Sequence, residues 1–569
     1  MAAQVNDRRS AQSGGQAVAA ALAAGGVRFA FTVPGESFLP LLEGLADGPI
    51  RTVATRHEGG AAFMAEAVGQ LTGRPAACLA TRAVGAANLA IGLHTAYADS
   101  TPMIALVGQV PRAMRGREAF QEVDQVATFG GLCKAATELD DPADLSVTTS
   151  RLLRLACSGR PGPVLLALPE DVLGAEVEAV AGGTEAAPAG PHPDVAAIEP
   201  APDQVEPILA RLAVAHRPII VAGAGVLRAA AVPLLAELVE AIEVPVIASW
   251  RRPDVLPNDH RLYLGMSGLG APASVRRRLL EADLILALGC RLNAITTFDD
   301  AVPAPGSEVI HVDLEPGWPG RPLPQRSVRA DARAFLEVAL RLVAGGRGRP
   351  ADAAARRAAD RRDRAAYEAD TTLPVPGREG PVAHSGIAYP TVVSALQAAL
   401  PPAAVVTTDA GNFAAWYARY LHVGAGQRLL GPTSGAMGYG LPAAIGAAVA
   451  EPGRPVVALA GDGGMAMLLA ELETAVREGA RLAVVVHDNQ RYGTIRMHQE
   501  RAFPGRPTAT ELGPIDFAAV ARACGARGLT VERDGEVAPA LAQALEADGV
   551  TLVHLRMDPQ ALSVETRLP

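Results

Sequence analysis

Short, wholly apolar runs recur along the chain, separated by longer Ala-rich amphipathic stretches. They include VLLAL (residues 164–168), PIIVAG (218–223), LILALG (284–289), PVVALAGDG (455–463) and LAVVVHDN (482–489). Runs this short, without polar alternation, are buried on both faces, as in parallel strands covered by crossover helices. Two low-complexity stretches rich in Ala, Gly, Pro or Arg, residues 176–203 and 344–384, interrupt the alternation. The pattern predicts an α/β protein of three doubly wound parallel-sheet domains over residues 10–180, 200–343 and 384–560. Ligands of such sheets gather beyond the C-terminal strand ends, so chemistry is sought there.

A chain of 569 residues exceeds a single core. With 49% apolar and 20% charged residues it has material for large cores under an ordinary solvated surface. The net charge of -9 argues against a nucleic-acid partner, which needs a concentrated basic face. Cys78, Cys133, Cys157, Cys290 and Cys524 are scattered and lack CxxC spacing. Neither a disulfide framework nor a structural zinc site is expected, and a reducing cytoplasm fits. The first residues lack the apolar run of a signal peptide and no stretch has the length of a membrane span, so neither export nor a membrane partner is expected.

The strongest chemical signal is Gly461-Asp462-Gly463-Gly464, which closes a strand ahead of the helical run 465–479 and the strand ending at Asn489. The 27 positions from Asp462 to Asn489 (489 − 462) are the length of one helix plus one strand, so both side chains land at neighbouring strand ends. Glycines admit a phosphate close to the backbone, while an Asp carboxylate and an Asn amide oxygen suit Mg²⁺ shared with a diphosphate. The carbonyl of Arg491 is a candidate third oxygen. A Gly-rich turn alone reads as a tight turn; the Asp and Asn together favour the metal site. Near the N-terminus, Arg56-His57-Glu58 ends a strand-like segment and opens an Ala-rich helix. Taken alone, Glu58 is a favourable charge at a helix start, and Met437 in Gly435-Ala436-Met437-Gly438 is a core residue.

Together these segments resemble the thiamine-diphosphate enzyme superfamily, whose motif is GDG, a gap of this length, then paired Asn residues. Here the first of that pair is Asp488, which adds charge, while the ligand position is Asn489. The resemblance implies pyrimidine-binding, central and diphosphate-binding domains in that order, with thiamine diphosphate and Mg²⁺ as cofactors. Glu58 would then serve N1′ of the aminopyrimidine, so that the ring shifts tautomer and takes the thiazolium C2 proton. Met437 would prop the cofactor in its bent shape. Gly35, Gly411, Asn412, Gly461, Gly463, Gly464, Tyr492 and Gly493 would join Asp462 and Asn489 around it. In the family the glutamate reaches the neighbouring subunit's cofactor, which implies a homodimer or homotetramer with shared active sites.

Within the superfamily, Val107-Gly108-Gln109-Val110-Pro111-Arg112, Glu118-Ala119-Phe120-Gln121-Glu122 and residues 159–172 and 437–448 resemble acetolactate synthases across nearly the whole chain. Phe120 and Gln121 would be active-site walls. The expected activity is decarboxylation of a 2-oxo acid such as pyruvate and transfer of the acyl carbanion to a second carbonyl compound. The departures concern the acceptor. Ile295 replaces the family's arginine for the second keto acid's carboxylate, a recognition that no aliphatic side chain reproduces. His498 replaces a tryptophan and reads equally as an acid/base group or a surface histidine. Glu170 replaces a lysine, and Ala83-Val84-Gly85 replaces a GPG turn. Acetolactate synthases also hold FAD, for which Gly223-Ala224-Gly225, the segment 265–268 and Asp313 beyond His311 are candidates; a lone GxG is a weak sign. Two other readings stay open: a simple 2-oxo acid decarboxylase or C–C lyase, and a non-catalytic cofactor-binding homologue.

Overall fold

The computed structural model describes residues 11–178, 197–317, 326–374 and 385–568, so residues 179–196 and 375–384 of the two low-complexity stretches lie outside it. The chain forms two compact units, Met1–Ala196 and Ala197–Pro569, the second built on two sheets. The expected three-sheet α/β architecture is present. Each of the three large sheets has six strands, all parallel, and a two-stranded antiparallel pair, Ala11–Ser13 with Glu176–Glu178, accompanies the first.

The first sheet runs Arg51–Ala54, Phe29–Thr32, Ala76–Ala80, Met103–Gln109, Pro163–Pro169, Ala135–Glu138. Numbered by appearance in the chain its order is 2-1-3-4-6-5. The last sheet repeats that order with Arg428–Leu430, Val405–Thr408, Val456–Gly461, Leu482–Asp488, Val550–Arg556 and Arg527–Val531. The middle sheet differs: Tyr263–Met266, Val246–Ala248, Pro218–Ala222, Leu284–Leu288, Glu308–Asp313 and Arg326–Arg329 give 3-2-1-4-5-6, the order of dinucleotide-binding folds. Strand order reverses beside the first strand of each sheet, which opens a crevice at the strand ends. The apolar runs form buried strands because both faces are covered; Leu284 to Leu288 are all at most 2% exposed.

Two local expectations change. The helical run after Gly464 is broken into Asp462–Met467 and Glu471–Arg477. The Arg/Ala-rich stretch after residue 344 carries an 18-residue helix, Ala353–Asp370, bound to the middle sheet's unit. Two of its arginines, Arg356 and Arg364, turn inward. Arg356 donates to Ile242 O, Leu212 O and Ala215 O, capping the C-terminal carbonyls of helices Pro202–Val214 and Val232–Ile242. Arg364 donates to the carbonyls of Asn258, His260 and Tyr263. Asp363 pairs with Arg278 at 2.9 Å and Arg217 at 3.0 Å.

Burial pushes the neighbouring Asp360 carboxyl up to about 6, against the pull of Arg278. Because this folded-state value lies above the ordinary one, the contribution is fully present below about pH 4 and is lost as pH rises through 6. Asp360→Asn should therefore gain about 1–3 kcal/mol on the native protein between pH 5 and pH 8. Urea midpoints at the two pH values check this; equal shifts at both would remove the argument.

Candidate active site

In the first unit the strand ends at the order reversal bring together most of the N-terminal residues singled out. Glu58 is the first residue of the helix Glu58–Thr72, entered through His57, whose Nδ1 accepts from Gly59 N–H at 3.0 Å. The Glu58 side chain is buried and accepts a hydrogen bond from Asn88 Nδ2 at 2.9 Å. A Cβ on Gly85 would lie 3.1 Å from Glu58 Oε1. Of the altered turn Ala83-Val84-Gly85, the retained glycine is thus the one packed against the carboxylate. Gly35 permits contact with the next strand end, since a Cβ there would stand 2.6 Å from Thr81 Cβ.

Arg82 and Glu170, both at altered segments, meet. Arg82 is buried and pairs with Glu36 at 3.0 Å and Glu170 at 3.3 Å, and its guanidinium stands over the Phe120 ring. Phe120 itself is 71% exposed. Gln121 adopts φ +64°, and its carbonyl accepts from Ala83 N–H at 3.2 Å. The Phe120-Gln121 segment therefore lies against the first turn of helix Arg82–Asp99, with an aromatic ring left open to contact.

In the second unit a cavity of about 250 Å³ lies at the ends of Val405–Thr408, Val456–Gly461 and Leu482–Asp488. All the residues singled out between positions 411 and 493 line it: Gly411, Asn412, Met437, Gly461, Asp462, Gly463, Gly464, Asn489, Arg491, Tyr492 and Gly493. His498 does not. It is exposed on an adjoining cavity of about 510 Å³ that shares Ala410, Gly411, Asn412, Gly435 and Thr494 with the first.

Asp462 is 7% exposed, and its Oδ2 has no hydrogen-bond partner. Burial, followed by the charge of Asp488, pushes its carboxyl up to about 7. Asn489 is equally enclosed, and its Oδ1 accepts from Arg491 N–H at 3.2 Å. Tyr492 N–H bonds to Thr510 O and Leu512 N–H to Gln490 O, which leaves the Arg491 carbonyl off that ladder. Among the described residues no three His, Cys, Asp or Glu side chains converge as a metal site. An ion here would draw on one carboxylate with amide and carbonyl oxygens, a hard donor set that fits Mg²⁺ and a diphosphate. The unsatisfied Asp462 oxygen is what such a cation would relieve.

Asp488, the departure from the family pair, turns inward. It accepts from His554 Nε2 at 2.8 Å and pairs with Arg556. Burial opposes its ionisation, but the His554 hydrogen bond and the charges of His554 and Arg556 hold it below the usual range.

Asp409 escaped sequence reasoning. Its carboxyl accepts from Ala410 N–H at 2.8 Å and Gly438 N–H at 3.1 Å, and a Cβ on Gly464 would stand 2.3 Å from its Oδ2. One buried carboxylate thus ties together the loops carrying Gly411, Met437 and Gly464. The available signal was an aspartate ending the apolar strand VVTT. His487 was also missed. Burial lowers it to about 4, so it is neutral; Nδ1 donates to Ala460 O at 3.0 Å, and Nε2 accepts from the Tyr417 hydroxyl at 2.5 Å.

The middle sheet's crevice is filled by its own backbone. Gly225 N–H bonds to Gly289 O at 2.8 Å, and a Cβ on Gly223 or Gly225 would meet the Gly289–Cys290 backbone at 2.5–2.6 Å. These glycines serve loop packing and leave no cradle for a pyrophosphate, so they do not fit FAD. Asp313 Oδ1 accepts from Glu315 N–H at 3.1 Å.

Two sheets of one strand order, one before and one after a third along the chain, with a glycine-lined cavity beside a buried Asp and Asn, define a cofactor-dependent enzyme built on α/β layers. Comparison with known families gives the same class. Residues 12–128, 205–338 and 409–555 match the N-terminal binding, central and C-terminal binding domains of thiamine pyrophosphate enzymes. The chain belongs to the thiamine pyrophosphate enzyme family, on its acetolactate synthase-like branch. It is 32% identical to the acetolactate synthase isozyme 2 large subunit of Escherichia coli over 96% of both chains. It is 32% identical to the acetolactate synthase large subunit of Parasynechococcus marenigrum, over 96% of this chain and 88% of that one. The acetolactate synthase of Mycobacterium bovis is 32% identical, over 94% and 86%. Among the described residues no helix is long and apolar enough to cross a membrane.

Proposed function

We propose that the protein is a thiamine diphosphate- and Mg²⁺-dependent carboligase that decarboxylates a 2-oxo acid such as pyruvate and passes the acyl unit to a second carbonyl compound. The observation that carries this reading is the unpartnered Asp462 oxygen in a glycine-walled cavity beside Asn489. When bound, thiamine diphosphate supplies a nucleophilic carbon and an electron sink for loss of CO₂.

Asp462, Asn489 and the Arg491 carbonyl would hold Mg²⁺, while Gly411, Asn412, Gly461, Gly463, Gly464, Tyr492 and Gly493 bring backbone and small side chains close to the diphosphate. Met437 supports the middle of the cofactor. Glu58, with Gly85 packed against its carboxylate, would hold the proton at N1′; its hydrogen bond from Asn88 fixes the carboxyl in place, and Gly35 would let backbone approach the cofactor's ring end. We assign Glu58 to the cofactor of a second copy of the chain, which makes the active enzyme a homodimer or homotetramer, and we place it in the cytoplasm. Phe120 and Gln121 exclude water from the reacting carbonyl, and His498 faces the acceptor as a proton donor.

Ile295, lacking the guanidinium of the related enzymes, favours a second reading as a simple decarboxylase. Pyruvate supplied alone separates the two: acetolactate or acetoin supports the carboligase, free acetaldehyde the decarboxylase. No CO₂ from any 2-oxo acid would sink both and leave a non-catalytic homologue. Because Gly223 and Gly225 are packed on Gly289, we expect a colourless preparation without a flavin absorbance band; a stoichiometric yellow cofactor would contradict this.

A further inference from the structure

The larger cavity beside the cofactor site has a charge pattern that the altered acceptor segments leave unexplained. Its charged lining consists of three guanidiniums, Arg251, Arg419 and Arg501, against one carboxylate, Glu565. Arg419 and Glu565 pair at 2.7 Å, and Arg501 donates to the Thr566 hydroxyl. The balance therefore favours an anion. At about 510 Å³ the cavity belongs to the size class of about 300–1,000 Å³ that takes substantial organic ligands.

Arg251 is the residue built for this task. It is 6% exposed, follows the strand Val246–Ala248 and holds φ +62°, a backbone conformation a branchless but bulky side chain adopts at a cost that the surroundings must sustain. Its guanidinium lies 5.0 Å from the Trp250 ring centroid, donates to Asp409 O, and sits so close to the end of strand Arg428–Leu430 that a Cβ on Gly431 would be 2.5 Å from Nη1. It thus reaches from the middle sheet to the strand ends bordering the cofactor cavity. Ile295 packs directly behind the same wall. A Cβ on Gly268 would lie 2.8 Å from Trp250 Cδ1 and 2.9 Å from Ile295 Cγ2. The position that lacks a guanidinium, 295, and the one that has it, 251, therefore lie on the two sides of the Trp250–Gly268 wall.

We propose that this cavity binds the second substrate as an anionic carbonyl compound, bearing a carboxylate or a phosphate, with Arg251 gripping the anion and Trp250 covering it. The proposal rests on the carboligase reading for the word substrate; anion binding itself does not. A planar guanidinium stacked on an aromatic ring offers paired donors to either group, and the ring's position makes binding visible in tryptophan fluorescence.

The test titrates protein loaded with thiamine diphosphate and Mg²⁺ with malonate, glycerol 3-phosphate and, as a neutral control, propane-1,3-diol. Saturable quenching by an anion, absent with the diol, is expected, and the tighter of the two anions identifies the group. Arg251→Leu should weaken that anion about 10- to 100-fold and Arg251→Lys less. Arg501→Gln, on an exposed helix position, should weaken it by a few fold without touching the fold. No saturable anion binding, or equal binding by native protein and a folded Arg251→Leu together with unaltered Arg501→Gln, overturns the proposal. CO₂ release from pyruvate is measured on the same samples: its absence overturns the carboligase reading, while the titration still judges the pocket.

Discussion

Asp462→Asn should abolish most Mg²⁺-dependent turnover while leaving the cofactor-free protein at least as stable as the native one. The native carboxylate is buried, raised to about 7 by desolvation and by Asp488, and carries an oxygen without a hydrogen bond. An uncompensated buried charge costs stability, and Asn removes that charge without changing shape. With Mg²⁺ and thiamine diphosphate present the balance reverses, because the variant has lost the anionic oxygen that holds the cation. Removing one partner of a buried charge pair costs about 3–5 kcal/mol, hence on the order of 10²–10⁴-fold in cofactor affinity. Calorimetric titration of cofactor with Mg²⁺, beside a thermal melt of the cofactor-free protein, reads both effects. Native affinity in the variant would refute the assignment of Asp462, and a collapsed melt would show that Asp462 serves the fold.

The second large effect is expected at Glu58. Gln has the same shape, can still meet Asn88 and Gly85, and cannot carry the proton that the aminopyrimidine requires. General acid–base groups of this kind contribute about 10²–10⁴-fold. We expect Glu58→Gln to lower the rate of CO₂ release by that factor with cofactor affinity changed far less, the opposite split from Asp462→Asn. A variant with undiminished turnover would exclude Glu58 from catalysis. Mixing inactive Glu58→Gln with inactive Asp462→Asn adds a test of shared sites: hybrid oligomers should regain part of the activity if the two residues serve one cofactor from different copies, and should stay inactive if both act within one chain.

These expectations draw on unequal contributions from the chain and from its folding. The strands were legible because each is a short apolar run buried on both faces, so VLLAL, PIIVAG, LILALG and LAVVVHDN match observed strands within a residue or two. The grouping of Asp462 with Asn489 was legible too, because one crossover spans them and parallel strands deliver their ends to one side. The helix Ala353–Asp370 was not. Its arginines look solvated in one dimension, and only in three do Arg356 and Arg364 find carbonyls 101–144 positions away to satisfy them.

The same limit hid Asp409, whose meaning lies in loops around positions 438 and 464, and the partner of the altered Glu170, which is Arg82, 88 positions away. By itself the sequence determined the three large sheets, their apolar strands and the placing of Asp462 and Asn489 at neighbouring strand ends, since these follow from local periodicity and short spacings. Which strand lies beside which, which glycines face open space and which meet backbone, and which arginines line the larger cavity were decided by tertiary structure. Hydrogen-bond partners and charge neighbours remote in the chain are set only by how the layers pack.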